Sequence, residues 1–225
     1  MEPSLVVVPM ACRPKTEHVG DDPSPSEILQ SALKSYASLS SYTDTGKAIF
    51  MITTGGGTTN MTTTFSVRLA HPNLYRIECE QVQLGGITNH GAVWSDGNGD
   101  FRMLDNFTQK MRDGINALSM ATALSDGASS TIPGAFFSYR MGGGLMPSLE
   151  TVLTRDKDEK VGTTDCYVLS TSPNPRNPYS KTTIWMGKRD HLLHQAQGLG
   201  LNSVTTEIHE NIEVNKPFLK SDFAR

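Results

Sequence analysis

Three oxygen-bearing side chains occupy alternate positions in the stretch VWSDGNGDFRML, at Asp96, Asn98 and Asp100. This spacing is that of the first ligands of a calcium loop, which continues with a glycine and closes with a glutamate at its twelfth position. Phe101 and Phe107 occupy those two places here. The composition instead predicts a turn between two strands, because Asp, Asn and Gly tolerate a positive φ.

A pair of histidines, His191 and His194, offers a second candidate metal site. Residues three apart on a strand point to opposite faces of the sheet, so both rings cannot bind one ion. A Ser/His/Asp set is assembled in space, which leaves a hydrolase open as an alternative, but no Gly-x-Ser-x-Gly elbow supports one. Phosphate loops and dinucleotide fingerprints are also absent from the sequence. We therefore predict no catalytic residues, no metal and no cofactor.

Large apolar side chains are the one feature that indicates a ligand, because they would suit a cavity that receives variable acyl chains. The alternative is that they simply fill the core. Arg76 is the polar member of the set, at the rim of the cavity, where it would bind lid carbonyls or a lipid headgroup unless it forms a structural ion pair. The other candidate ligand-binding residues are Phe50, Phe65, Val67, Trp94, Phe101, Met103, Phe136, Phe137, Ile184 and Met186.

The charge balance excludes one class of partner. The chain of 225 residues carries 20 basic and 23 acidic side chains, a net charge of −3, and no run of lysine or arginine. Nucleic acid is therefore not an expected partner, because phosphate binding needs a concentrated basic surface.

No apolar run reaches the roughly 18 residues that a membrane-spanning helix requires. The length fits a single domain.

The N-terminal stretch MEPSLVVVPMAC resembles the tail of a bacterial lipoprotein signal, although it lacks a basic region and contains Pro9. We expect residues 1–24 to be either a disordered arm or the remnant of such a signal, with Cys12 as the residue that would carry a lipid anchor. A disulfide between Cys79 and Cys166 is one alternative; the other is that both are small buried hydrophobic residues.

The elements that position these residues are mostly strands. Ser24, Pro25 and Glu27 form a capping box that predicts a helix to about Leu39, with one apolar stripe. Extended segments broken by turns follow, as in an antiparallel meander. They comprise 42–52, 61–69, 74–80, 91–95, 101–104, 163–170, 181–186, 192–197 and 204–214.

Two parts of this pattern carry further predictions. In the last strand, the even positions from Val204 to Val214 are mostly apolar, which predicts that this face is buried and the odd face exposed. Residues 106–153 break the rhythm of strands and are rich in glycine and apolar residues, with a short helix predicted after Asp113. We interpret this insertion as a lid or plug within a single domain, 25–225.

Several short strings, in this order, resemble the LolA-like periplasmic lipoprotein-carrier superfamily, and within it the predicted-periplasmic, outer-membrane lipoprotein-sorting branch. The resemblance covers residues 27–223 and implies an α+β, mainly β fold. In that fold an incomplete, half-open antiparallel β-barrel wraps around an N-terminal helix and a central helical lid or plug. The strings are HPNLYRI at 71–77, Ser95-Asp96-Gly97, Val161-Gly162 with CYVL at 166–169, and Asn215 with Phe218.

The resemblance implies a non-enzymatic protein of the periplasm or outer envelope of a bacterium. We expect it to bind a lipid, an acyl chain or an acylated protein in an apolar cavity, as a monomer with peripheral or lipid-anchored membrane association. Two alternatives stay open. One is an envelope sensor or interaction module of the same fold that binds a partner protein, and the other is a hydrolase with a polar cluster inside the cavity.

Overall fold

Strands dominate the structure, a computed structural model that describes residues 22–82, 86–105, 107–112, 118, 128–137, 151–171 and 180–224. Two α-helices, α1 and α2, a short 3-10 helix and strands β1 to β12 make up these residues. The helices are α1 Pro25–Ser38, α2 Ala128–Phe136 and the 3-10 helix Lys220–Phe223. The strands are Ser41–Thr54, Gly57–Ala70, Leu74–Val82, Thr88–Ser95, Asp100–Leu104, Phe107–Lys110, Leu153–Arg155, Glu159–Val161, Thr164–Thr171, Lys181–Gly187, Leu193–Leu199 and Ser203–Val214.

All twelve strands form one antiparallel sheet, in the order β6-β5-β4-β3-β2-β1-β12-β11-β10-β9-β7, with β8 pairing β9. Two meanders of sequential neighbours, β1 to β6 and β8 to β12, therefore meet where β1 pairs β12, and β7 adds to the free side of β9. The sheet is not closed, because β6 and β7 lie at its two edges. The predicted fold class, α+β and mainly β with a half-open antiparallel barrel, is confirmed.

Helix α1 begins as the capping box predicts. The Ser24 hydroxyl accepts from the Glu27 amide, and the Glu27 carboxylate accepts from the Ser24 amide at 2.8 Å. One stripe of α1, formed by Ile28, Leu29, Ala32 and Tyr36, is buried against the inner face of the sheet. The helix therefore fills the concavity of the sheet, as its amphipathic pattern predicts.

Each strand expected from the alternating pattern is present, with bounds that differ by a few residues. Three short strands, β6, β7 and β8, were not predicted individually, since three or four residues give too little periodicity to detect. The predicted helix after Asp113 lies outside the described residues, apart from Leu118, which is buried. Most of the predicted lid, 106–153, also lies outside them, but α2 belongs to it.

Cys79 and Cys166 do not form a disulfide with each other. Cys166 is buried, as predicted, and Cys79 is half-buried. Burial raises the pKa of the Cys166 thiol to about 11. Cys166 packs with Val168 and Trp185 in a small cluster separate from the main core. Cys12 lies outside the described residues.

Candidate functional site

The inner face of the sheet carries a continuous apolar layer. Among the residues predicted to line a cavity, Phe65, Val67, Ile184 and Met186 are at most 4% exposed and belong to the main core. Phe50 lies on the same face of β1 as the buried Ala48, nearer the turn between β1 and β2, and is half-buried. This layer forms the apolar inner surface of the sheet.

Helix α2 covers part of this layer and packs against α1 and β2. Its residues Ile132, Ala135 and Phe136, with the following Phe137, are at most 2% exposed. The Phe136 ring stacks on His71 of the turn between β2 and β3, with 4.4 Å between the ring centroids. A short helix that buries apolar side chains against the inner face of a sheet has the properties of a plug.

Four of the predicted lining residues lie instead on the outer face. Residues paired across neighbouring strands share a face, and Trp94 pairs with Arg76 on one side and Phe101 on the other. Met103 belongs to the same face as Phe101. Val93, next to Trp94, points into the main core. The sequence prediction placed Trp94, Phe101 and Met103 inside the cavity and Arg76 at its rim, because alternation along a strand defines two faces but not which of them is covered.

A C-terminal segment, residues 216–224, covers part of this outer face. The guanidinium of Arg68 donates to the carbonyl of Asp222 at 2.6 Å and lies over the ring of Phe218. Arg76 donates to the carbonyl of Ala224 and also binds Glu78. Phe223 is fully buried. Arg76 thus holds the C-terminal segment and forms an ion pair, which was the structural alternative for this residue.

A buried cluster of charged groups lies beneath α2, and the sequence analysis missed it. The His209 ring places Nδ1 2.6 Å from Asp44 Oδ2 and Nε2 3.0 Å from Glu207 Oε1. The three side chains are at most 5% exposed. The hydroxyl of Tyr42 donates to Asp44 Oδ2 at 2.7 Å. We call Tyr42, Asp44, Glu207 and His209 the charge cluster.

The predicted faces of the last strand were wrong. Glu207 and His209 are buried, while Ile208 is half-exposed and Glu210 exposed. The register of β12 with β1 shifts between Thr43 and Thr45, and Asn211 adopts a φ of 53°. This bulge inserts an extra residue and brings Ile212 to the inner face, where it packs against the core. Odd positions therefore face inward before the bulge and even positions after it, so one even-odd pattern cannot describe the whole strand.

Electrostatics keep His209 protonated. Burial alone lowers the pKa of His209, but the carboxylates of Asp44 and Glu207 outweigh it and raise the pKa to about 10. Burial is also the main reason that the pKa values of Glu207 and Tyr42 are raised. Both ring nitrogens of His209 donate to carboxylates, so neither is free to accept a proton as a general base. The cluster is thus an internal ion network and lacks the geometry of a hydrolytic triad.

One polar contact joins the charge cluster to α2. The hydroxyl of Thr131 donates to Glu207 Oε2 at 2.9 Å, and Thr131 is fully buried. Asp44 Oδ1 has no hydrogen-bond partner among the described residues. An α2 residue therefore satisfies one oxygen of a buried carboxylate, and moving α2 away would leave that oxygen without this donor.

A cleft of about 490 Å³ opens where β11 separates from β12. The two strands pair from Gln195 and Ile208 up to Leu199 and Val204, so residues 209–214 of β12 pair with β1 alone. Asp190 and His194 lie on the opposite wall of the cleft, with 3.0 Å between the His194 Nε2 and an Asp190 oxygen. The backbone of β12 is accessible along this cleft.

The two metal-like motifs form ordinary turn and strand structure. The amide of Asn98 donates to Asp96 Oδ1 at 2.8 Å, Gly97 has a φ of 86°, and Asp100 accepts from the hydroxyl of Tyr75. His191 belongs to a turn with a φ of 57°. Within the described ranges, no group of three or more His, Cys, Asp or Glu side chains is placed to hold a metal ion. None of the helices found there is long and apolar enough to cross a bilayer.

Comparisons with known proteins agree on the architecture. No protein-family model matches the sequence, and no curated protein matches it. The lipoprotein LppX of Mycobacterium tuberculosis is 12% identical with a TM-score of 0.51, over 87% of this chain and 99% of LppX. LprF of Mycobacterium bovis is 10% identical with a TM-score of 0.50, over 88% of this chain and 96% of LprF.

The chain has the fold of LppX and LprF. A LolA superfamily protein from Nitrosomonas europaea is also among the similar structures, at 9% identity and a TM-score of 0.39. It aligns over 88% of this chain and 96% of its own. At these identities the likeness extends to the fold alone, and that fold is the open antiparallel sheet around helices that the resemblance implied.

Proposed function

We propose that this chain is a non-enzymatic protein of the bacterial cell envelope that binds a lipid, an acyl chain or a lipoprotein between the inner face of its sheet and α2. The observation that carries the proposal is the apolar inner layer covered by a short, apolar helix. The envelope location, a peripheral or Cys12-linked membrane association and the monomeric state belong to the same proposal.

Binding requires α2 to move, because Ile132, Phe136 and Phe137 already occupy the inner layer. An entering acyl chain gains roughly 0.8 kcal/mol for each CH₂ that leaves water. That gain must offset the loss of the α2 contacts and of the bond from Thr131 to Glu207. Displacement of a plug helix thus gives a carrier a way to hold its ligand and to release it.

Two measurements test this function. Native mass spectrometry after mild extraction from the envelope should find the protein with bound lipid, and the purified protein should take up a fluorescent fatty acid. Thr131→Val removes the bond to Glu207 at nearly constant volume, so we expect the uptake rate to rise roughly threefold or more. Thr183→Val is the matched control, since Thr183 is also buried but contacts Ser170 in β9. Ligand-free protein in the first measurement and no uptake in the second would overturn the proposal.

A second candidate is an envelope sensor or interaction module, and the accessible backbone of β12 favours it. A peptide in extended conformation would add as a strand beside residues 209–214, in the cleft that Asp190 and His194 border. Capture from envelope extracts distinguishes the two functions, because a module retains one protein in stoichiometric amount and a carrier retains lipid.

A further inference from the structure

Exposed apolar side chains are concentrated at one end of the sheet. Antiparallel strands alternate in direction, so the turns between them collect at two opposite ends. We define the apolar rim as the end formed by residues 51–61, 82, 86–88, 104–105, 107, 151–153, 180–181 and 199–204. It holds seven side chains between 37% and 70% exposed: Met51, Val82, Ile87, Leu104, Phe107, Val152 and Leu201.

Charge is distributed in the opposite way. Among the residues that define the apolar rim, only Asp105 and Lys181 are charged, and the rest of its surface is largely Thr, Gly, Asn and Ser. The opposite end carries charges in about half of its turns and at several of the strand ends beside them. They include Asp96, Asp165, Lys188, Arg189, Asp190, Glu213, Lys216 and Lys220. The molecule is therefore polarised from an apolar end to a charged end.

We propose that the apolar rim docks on a lipid bilayer, with its side chains inserted at the boundary between headgroups and hydrocarbon. Apolar side chains collected at neighbouring strand ends and turns, with uncharged polar residues between them, suit a soft apolar boundary. A protein interface has a contiguous core enriched in aromatic residues and arginine, and Phe107 is the one aromatic residue among the seven. The near absence of charge means that the docking does not depend on anionic lipid.

This inference rests on the peripheral membrane association in the proposed function and names the surface that makes it, and the rim docks whatever the interior binds. It orients the half-open barrel with one end of its inner layer at the membrane, since Phe50 and Met61 lie on the inner face next to the rim. The charged end then faces the aqueous phase.

Vesicle flotation tests the docking. The full chain with Cys12→Ser, which excludes an acyl anchor, is mixed with phosphatidylcholine vesicles, and the fraction that floats is measured. Phe107→Asp and Leu201→Asp should each lower the partition coefficient about fivefold or more, because each puts a charge where an apolar side chain inserts. Leu219→Asp is the matched control, since Leu219 is 72% exposed but belongs to the C-terminal segment, away from the rim; its partition should equal that of the parent.

Other outcomes overturn the inference. The first is that the parent protein does not float, and the second is that Leu219→Asp loses as much binding as the rim variants. The third is a strong fall in binding when salt rises from about 0.1 to 0.5 M, which would indicate that the charged end contacts the membrane. A dimer in sedimentation velocity that Phe107→Asp dissociates would assign the rim to a second copy. Fatty-acid uptake in solution should be the same in the rim variants and the parent, so failure of docking and failure of ligand binding are separately visible.

Discussion

His209 is a protonated side chain placed between two buried carboxylates, and this arrangement makes the stability of the protein depend on pH. The folded state raises the pKa of His209 from 6.5 to about 10. A histidine with a raised pKa contributes its full stability below the unfolded value and loses it as the pH rises through the folded value. Glu207, whose pKa is also raised, acts in the same direction at lower pH, because its ionisation in the folded state is unfavourable.

We expect His209→Gln to lower the free energy of unfolding by about 3 to 5 kcal/mol near pH 7, since it leaves two buried carboxylates without their cation. The difference between the parent and the variant should shrink from pH 7 to 10, as His209 of the parent loses its proton. Urea unfolding at several pH values measures both. A difference that stays constant over this window would contradict the proposed charge state of His209.

Sequence reasoning could not find the charge cluster, for a physical reason. Asp44 and His209 are 165 positions apart, and only the pairing of β1 with β12 brings them together. The bulge at Asn211 further hides the burial of Glu207 and His209 in a strand whose other face is apolar. The capping box of α1 was readable because its residues are three positions apart.

At the scale of elements, the packing of β1 on its neighbours depends on a residue without a side chain. A Cβ added to Gly46 would lie closer than van der Waals contact to the carbonyl of Ile208 and to the ring of Phe65. Gly46 pairs with Phe65 on one side and His209 on the other. The small residue therefore leaves room for Phe65, whose ring lies 5.4 Å from that of His209.

Gly46→Ala should destabilise the fold by about 2 kcal/mol or more, because the backbone carbonyl of Ile208 cannot move without disturbing β12. Gly198→Ala in β11 is the matched substitution, since a Cβ there meets no atom within 4 Å. We expect that variant to change the free energy of unfolding by less than about 1 kcal/mol. Thermal unfolding of both proteins is the measurement, and equal shifts would refute the packing argument.

The C-terminal segment is held on the outer face by Phe223 and by the arginines of β2 and β3. Phe223→Ala should free this segment, because it removes a fully buried ring from an element of nine residues. Digestion by carboxypeptidase, followed by intact mass, should then proceed well beyond Ala224, while Leu219→Ala, with an exposed side chain, should resist as the parent does. Resistance of Phe223→Ala would show that the arginine contacts suffice.

At the scale of the whole molecule, the proposed function predicts that a bound ligand raises the stability of the fold while it displaces α2. Loading with a fatty acid should raise the global stability, by roughly 2.7 kcal/mol at a hundredfold excess over the dissociation constant. Hydrogen exchange of the α2 amides should become faster at the same time, because the ligand replaces Ile132 and Phe136 on the inner layer. The amides of β2 should stay protected. Slower exchange in α2 on loading would contradict displacement of the plug.

The meeting of β1 and β12 in the middle of the sheet gives the chain a slow step in folding. Residues 41–110 can form their six-stranded meander early, since each strand pairs with its sequence neighbour. Strand β1, however, pairs with β12 over Tyr42–Ile52, and that partner is far away in sequence, at Ser203–Val214. A long strand edge thus stays unpaired until β12 docks, and an exposed edge of this kind favours aggregation of the partly folded chain.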